Sequence, residues 1–495
     1  MHRSTSTLAL ATGPGQQPLH NSTKQRDDAA PGRARTLAVT LTLALGYVMA
    51  MLDATAVNVA LDKIGAEFHA PLTSLVWVVD AYTLTFAALL LLGGSIADRL
   101  GAKRAYLLGL VWFIVASAVC ALAGSTVQLI AARLFQGFGA ALFMPSSMSL
   151  IGETFPDKAQ RTRLVSIWGA LVAAAAGIGP FFGGSLIELF GWRSIFYLNI
   201  PVGLLGIALS MLLLKPSASH PRPFSVFSHG LFMLALGSIA FALIEGPTHH
   251  WLTSRQILSA TMVAVATLAT IFVRETTGRH PVVPVALRRN RSFWTYNYLG
   301  FSVNFMLFGE IFMLGLFLQQ GKHLSPLATG VGMLPVIGII TIMSFLSARV
   351  SARIGATKTI LTGFTFSGVG SLLTAAGMHS APEWLQVVTV MICNIGVGLA
   401  TPAIVLGIIQ EAGPESANVG SAMLNVNRQL GSLAGVAAMG ILLHDVSDWS
   451  SSVRVGFLCF AAVIGSAWVL TTMLVRQISD GGARSEEAEA VTLID

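Results

Sequence analysis

GSIADRLGAKR (residues 94–104) and ARVSARIGATK (residues 348–358) align without a gap, 254 residues apart. Each ends one long apolar run and begins the next, and each crowds basic side chains and a glycine into a short turn. A second pairing agrees with the first. FQGFGAA (135–141) and CNIGVGLA (393–400), matched at Gly137 and Gly396, give an offset of 259. Two matches at nearly one offset mark the duplication of a unit several helices long.

The surrounding chain explains what kind of unit it is. Of 495 residues, 54% are hydrophobic and 11% charged, and the mean hydropathy is +0.71. A soluble chain carries roughly 25% charged residues, so this composition predicts an all-α membrane protein. A crossing helix needs about 20 mostly apolar residues. Runs of that kind begin near residues 37, 73, 106, 128, 164, 195, 229, 256, 293, 327, 358, 384, 422 and 454, which makes fourteen. With both termini in the cytoplasm, the inner segments collect 23 Lys and Arg and the outer loops five, with two more inside spans. Positive residues stay inside, so the asymmetry predicts that orientation, and an inner bacterial membrane as the location. The sequence pI near 9.6 is accounted for by these loops and does not call for nucleic acid as a partner.

Six spans on each side of the repeat leave two over, giving a 6 + 2 + 6 arrangement with pseudo-two-fold halves. The expected organisation is a disordered cytoplasmic tail (1–36), an N-terminal six-helix bundle (37–214), a linker (215–228), two inserted helices (229–274), a second linker (275–292), a C-terminal bundle (293–476) and a cytoplasmic tail (477–495). No secretory signal precedes the first span. The ends of both tails are polar, and the last residues, RSEEAEAVTLID (484–495), read as a short acidic disordered tail. Cys120, Cys393 and Cys459 lie in apolar runs and read as packing residues. The eleven histidines show no metal-site spacing, and neither H-E-x-x-H nor G-x-x-x-x-G-K-[ST] occurs, so metalloprotease and P-loop ATPase chemistry are unsupported. No catalytic residues, metal or cofactor are expected.

At this point a family resemblance is visible. GGSIADRLGAKR (93–104) resembles the loop between helices 2 and 3 of the major facilitator superfamily, RLFQGFGAALFMPSS (133–147) its helix-4 motif, and GIGPFFGG (177–184) its helix-5 antiporter motif. LDATAVNVAL (52–61) resembles the first-helix signature of the fourteen-span drug:proton antiporters. WRSIFYLNIPVG (192–203), FALIEGP (241–247) and SAMLNVNRQLGSLAGVAAMG (421–440) extend the likeness, which is greatest to exporters of the methylenomycin A resistance type. The resemblance implies the major facilitator fold and proton-driven efflux of a small hydrophobic or amphiphilic drug or antibiotic through the bilayer, powered by the proton gradient without a cofactor. A narrow-specificity exporter, or an uptake symporter of a metabolite on the same fold, is the alternative.

It also implies a conformational gate at Asp98, Arg99, Gly101 and Arg104, with Asp98 tying helix 2 to the opposite half. The second copy has Ala352 where Asp98 stands, so such a lock would be asymmetric. The motif residues Gly179, Pro180, Gly183 and Gly184 leave one helix with little side chain and a missing hydrogen-bond donor, which favours a bend and a close seam.

Ionisable side chains inside spans are costly and mark ion pathways. Asp53, Asp80, Arg133 and Glu310 stand on four different spans at comparable depth, and Glu310 follows Asp53 by 257 residues, inside the repeat window. A carboxylate beside an arginine stays charged and takes a proton when the arginine is drawn away. We therefore expect Asp53 to carry the coupled proton and Arg133 to adjust its affinity, with Asp80 and Glu310 assisting. Trp77, Tyr82, Phe135, Met144, Phe305 and Phe308 are expected to line a mostly apolar cavity. With all four groups charged the site would sum to −2, which leans toward neutral or cationic cargo. Arg428 is read as lying about six residues into its span, near the inner surface, and Glu245 as part of a peripheral insert.

Overall fold

The computed structural model describes residues 33–492, apart from 156, 218, 220–225, 250–252, 278–283 and 445. The expected N-terminal tail lies almost wholly outside them. Regular structure among the described residues is helical throughout. The first unit is α1 (Arg33–Phe68), α2 (Leu72–Leu100), α3 (Ala102–Ala121), α4 (Thr126–Thr154), α5 (Lys158–Phe190) and α6 (Ser194–Leu213). Next come α7 (Val226–Glu245), α8 (Arg255–Thr277) and a one-turn α9 (Val285–Arg289). The second unit is α10 (Arg291–Leu316) with a π-helical turn (Phe317–Gly321), α11 (Pro326–Ile354), α12 (Ala356–Gly377), α13 (Glu383–Leu442) and α14 (Trp449–Thr492).

Local chemistry sets these ends. Ser125, Asp157, Asn290 and Ser325 each accept a hydrogen bond from a backbone N–H of the helix that follows, satisfying donors that the first turn leaves open. Gly101 and Gly355, the paired glycines of the two repeat turns, both sit in the left-handed region, with φ of 85° and 86°. A side chain there would be strained, so the repeat is conserved in backbone conformation as well as in letters.

Twelve helices among the described residues are long and apolar enough to cross a membrane, against the fourteen runs counted in the sequence. The two differences have physical causes. The apolar part of α7, His229–Glu245, is shorter than a typical span. The thirteenth run directly follows the twelfth: α13 consists of two helices that meet at a non-helical break at Gly413 (φ 70°), and the span counted in its first part ends there. That stretch therefore begins after Gly413, and not near 422. The acidic end of the chain also departs from expectation, since α14 continues helical to Thr492.

Within the first unit α1 packs on α5 and α6, and α4 on α2 and α3; within the second, α13 packs on α10 and α12, and α12 on α14. The halves meet along α5–α11 and α2–α13, with α7 lying against both α2 and α13. The end bearing the 94–104 and 348–358 turns is called the basic end here. The cross-half glycine contacts lie toward the other end: Gly184 on the Pro326 carbonyl, Gly330 on the Pro180 carbonyl, Gly315 on Asn58 and Gly440 on Val76. Nearer the basic end, Gly169 of α5 has open space on its Cβ side.

The structure also corrects the repeat register. Gly139 packs on Gly109 and Phe113, as Gly396 packs on Gly363 and Ser367. Gly396 is therefore the partner of Gly139, 257 residues apart, and not of Gly137. This equals the spacing of Asp53 and Glu310.

Candidate functional site

α1, α4 and α6 converge on Asp53. Its Oδ2 takes a hydrogen bond from Arg133 Nη1 at 2.5 Å, and neither side chain is exposed. Its Oδ1 accepts from Gln136 Nε2 at 2.9 Å and from Asn199 Nδ2 at 2.8 Å. Both amides also donate to Ser117 Oγ, which itself donates a hydrogen bond to the Phe113 carbonyl. Arg133 is held by three further contacts. Nη1 donates to Gln136 Oε1 at 2.6 Å, Nε donates to the Val78 carbonyl at 3.0 Å, and the guanidinium lies 4.5 Å from the Tyr82 ring centroid. Both carboxylate oxygens and the Nε and Nη1 donors of the guanidinium are hydrogen-bonded, while Nη2 has no partner, so the pair is well but not completely satisfied for a buried ion pair.

Sequence reading identified the two charged members and missed Ser117, Gln136 and Asn199. Helical spacing was the available signal for Gln136, which stands one turn after Arg133 and so shares its face. The glycine-rich stretch of α5 presses on the same part of α1: Gly179 lies against Thr55 and Gly183 against Ala56. Between α1, α5 and α6 a small recess reaches Asp53, lined by Leu52, Gly179, Phe182 and Asn199 among others. Gly184 and Pro180 form the seam with α11.

The other two acids stand apart from this cluster. Glu310 is buried on α10, and its Oε1 accepts from Asn394 Nδ2 at 2.6 Å while Oε2 has no partner. In the corrected register the counterpart of Arg133 is Val390, so the second half offers its acid no cation. The symmetry is otherwise kept: Ser371 Oγ meets Cys393 Sγ at 3.0 Å, where Ser117 meets Gln136. Asp80 is fully buried on α2 with neither oxygen bonded. An ionised carboxylate sealed from water without a cation costs several kcal/mol, so the neutral acid fits both places. The four groups therefore do not form one cluster of net charge −2.

The expected aromatic cavity is not gathered either. Tyr82 does reach the site, under Arg133. Phe135 is 59% exposed and packs on Trp112 within the exposed stripe of α3, so it faces outward. Trp77 turns to the insert, donating from Nε1 to Glu245 Oε1 at 2.8 Å, with Thr73 bonded to Thr248 beside it. The insert is thus pinned to α2. Met144 is buried in the first-half core, Phe305 packs on Phe301 and Phe460, and Phe308 lies half-buried against the second core.

The gate residues occupy the basic end. Ser219 Oγ donates to the Arg99 carbonyl at 2.5 Å, Lys103 Nζ to the Leu214 carbonyl at 2.5 Å, and Ser217 crowds Gly101. These bonds clamp the α2–α3 turn to the segment after α6 of its own half. Asp98 is half-buried and Arg104 exposed. No group of three or more His, Cys, Asp or Glu arranged for a metal occurs among the described residues.

Comparison with known proteins places this geometry. Residues 43–436 match the Major Facilitator Superfamily. The chain is 44% identical over 451 residues to a methylenomycin A resistance protein of Streptomyces coelicolor, covering 91% of this chain and 93% of that one. It is 39% identical over 440 residues to a methylenomycin A resistance protein of Bacillus subtilis, covering 89% and 93%. Among solved structures, a POT family transporter in complex with a thioalcohol-conjugated peptide superposes with a TM-score of 0.69 at 15% identity, covering 90% of this chain and 96% of that one, a likeness of fold alone. With its duplicated helical halves and a family match that spans most of its length, the chain belongs to the Major Facilitator Superfamily of membrane transporters.

Proposed function

We propose that this protein exports small-molecule antibiotics or drugs from a bacterial cell in exchange for protons, by alternating access. The observation that carries this is the buried Asp53–Arg133 pair, which joins α1 to α4 and is steadied by Gln136 and Asn199. The similarity to two methylenomycin A resistance proteins supports the export direction. Counting α7 and the part of α13 after Gly413 as crossings gives fourteen spans in a 6 + 2 + 6 order, with both termini cytoplasmic by the positive-inside rule. On this orientation the basic end faces the cytoplasm, the cross-half glycine contacts lie toward the outer side, and we take the state as inward-facing.

In this reading a proton arriving at Asp53 removes its charge and releases Arg133 from it. Arg133 keeps its bonds to Gln136 and Val78, so the change is absorbed where α1, α2 and α4 meet. Proton loss to the cytoplasm restores the pair. Asp80 and Glu310 hold their protons in this state, and the glycine seam of α5 closes the path to leak. One proton moving across 100 mV supplies about 2.3 kcal/mol, roughly 50-fold in concentration. The test is uptake of a radiolabelled antibiotic into everted vesicles with a pH gradient imposed. Gradient-dependent uptake by the native protein that vanishes on adding a protonophore is expected, and uptake indifferent to the gradient refutes the proposal.

A further inference from the structure

Arg428 is the interior charge that the mechanism leaves unused. It stands 15 residues beyond the turn at Gly413, roughly 22 Å along the helix, and so lies at mid-depth, away from the inner surface that the sequence suggested. Its stem rests on Gly300, where the absence of a side chain makes room for it. Asn304 Nδ2 donates to its carbonyl at 2.9 Å, fixing α10 to α13 at this level. Among the described residues no carboxylate lies within ion-pairing distance of its guanidinium.

The surroundings are shaped for a ligand. Arg428 lines a small recess walled by Val303, Ile404, Val405 and Leu424, with Thr401 at its side. Across the seam, Tyr47 of α1 is within electrostatic reach of Arg428. The Tyr47 ring sits edge-on to Trp168 of α5 at 4.6 Å between centroids, and Trp168 Nε1 is buried with no acceptor. The other interior charges cancel or vanish. Asp53 is matched by Arg133, and Asp80 and Glu310 fit as neutral acids, so the central region carries one uncompensated positive charge instead of two negative ones.

We propose that Arg428 binds the carboxylate of an anionic, mostly apolar substrate, whose body lies between the halves, between the apolar wall beside Arg428 and α1. This rests on the export reading above and names the cargo class for the same central region. A guanidinium is suited to a carboxylate because it presents two parallel N–H donors. The cargo replaces the missing counter-ion, so the empty site favours an acid over its ester or an amine of the same shape.

The test uses the full chain in lipid nanodiscs and three probes with one ring system: 1-naphthoate, methyl 1-naphthoate and 1-naphthylmethylammonium. Dissociation constants are measured by calorimetry without any gradient. The acid is expected to bind at least tenfold tighter than the ester or the ammonium. Arg428→Gln should weaken the acid roughly 10- to 100-fold and erase the preference, with Arg428→Lys between. The acid-to-ester ratio is read within each variant, so a less stable protein still reports. The proposal is overturned if the acid does not bind, if the ester or ammonium binds as well, or if Arg428→Gln leaves the ratio within twofold. Intact acid binding with no gradient-driven transport would instead defeat the export reading and leave this one standing.

Discussion

Asp53→Asn, alone and combined with Arg133→Gln, separates the electrostatic role of the pair from its coupling role. The amide keeps the shape of the carboxyl and its room beside Gln136 and Asn199, but it strips Arg133 of the counter-charge held at 2.5 Å with both side chains unexposed. Removing one partner of a buried pair costs about 3–5 kcal/mol, because the survivor is left charged in a low-dielectric setting. At roughly 2 °C per kcal/mol, the single variant should melt about 6–10 °C lower in detergent, as followed by tryptophan fluorescence. Arg133→Gln added to it removes the stranded charge, and most of that loss should return. Transport should not return: in proteoliposomes with an imposed pH gradient, the stabilised double variant should show no gradient-dependent flux. A single variant as stable as the native chain would refute the buried-pair account. A double variant that still couples flux to the gradient would refute Asp53 as the proton carrier.

Three further outcomes follow from other parts of the structure. Glu310→Gln should shift the melting temperature by less than the equivalent of about 1 kcal/mol, since the amide resembles the neutral acid that fits beside Asn394; a drop as large as that of Asp53→Asn would show the group to be ionised. Gly184→Leu drives a side chain into the Pro326 carbonyl. Overpacking costs typically 1–3 kcal/mol, so it should open the outer seam and raise thiol labelling of a cysteine placed at Leu327. Asp448 caps α14 by accepting hydrogen bonds from Ser451 Oγ and from the Ser450 and Ser451 amides, which hold its carboxyl below the usual range. A lowered acid stabilises above its unfolded value, about 3.9, and loses that contribution as pH falls through the folded one. Slow hydrogen exchange at residues 450–453 should therefore persist at neutral pH, fade in acid, and be absent in Asp448→Ala at either pH.

The scaffold was legible because hydropathy and the repeated turn are written along the chain, and the positive φ of Gly101 and Gly355 shows why that turn keeps its glycine. The charged half of the site was legible for a similar reason, since a lone charge in an apolar run is conspicuous. Its neutral half was not: Ser117, Gln136 and Asn199 carry no charge and are common in helices. The aromatic lining failed on facing. Successive residues on a helix turn by about 100°, so Phe135 points roughly opposite to Arg133 once Arg133 is known to be inside. Trp77 failed differently, because its partner Glu245 belongs to an insert whose docking no local pattern reveals. Arg428 was misplaced in depth because the apolar run was taken to begin near 422, whereas the helix begins at the Gly413 turn.

The two halves share a backbone plan and divide the charges unequally, which bears on how many protons a cycle moves. Asp53 and Glu310 occupy matching positions, as do the Ser117–Gln136 and Ser371–Cys393 contacts. Only the first half supplies an arginine one turn before, Arg133 against Val390. An acid with a movable cation can alternate between charged and neutral forms as that cation shifts, whereas an acid without one has a single comfortable form in an apolar core. In the proposed mechanism the duplicated design thus leaves one acid to cycle and one to serve as a neutral hydrogen-bonding group. The second half carries its own unmatched charge instead, at Arg428, aimed at mid-depth. Proton handling in one half and cargo charge in the other would couple through the seam they share, the α5–α11 and α2–α13 contacts, without the two sites touching. A flux ratio of one proton per cargo molecule is the expectation from this division. A ratio of two that falls to one in Glu310→Gln would show that the second acid cycles as well.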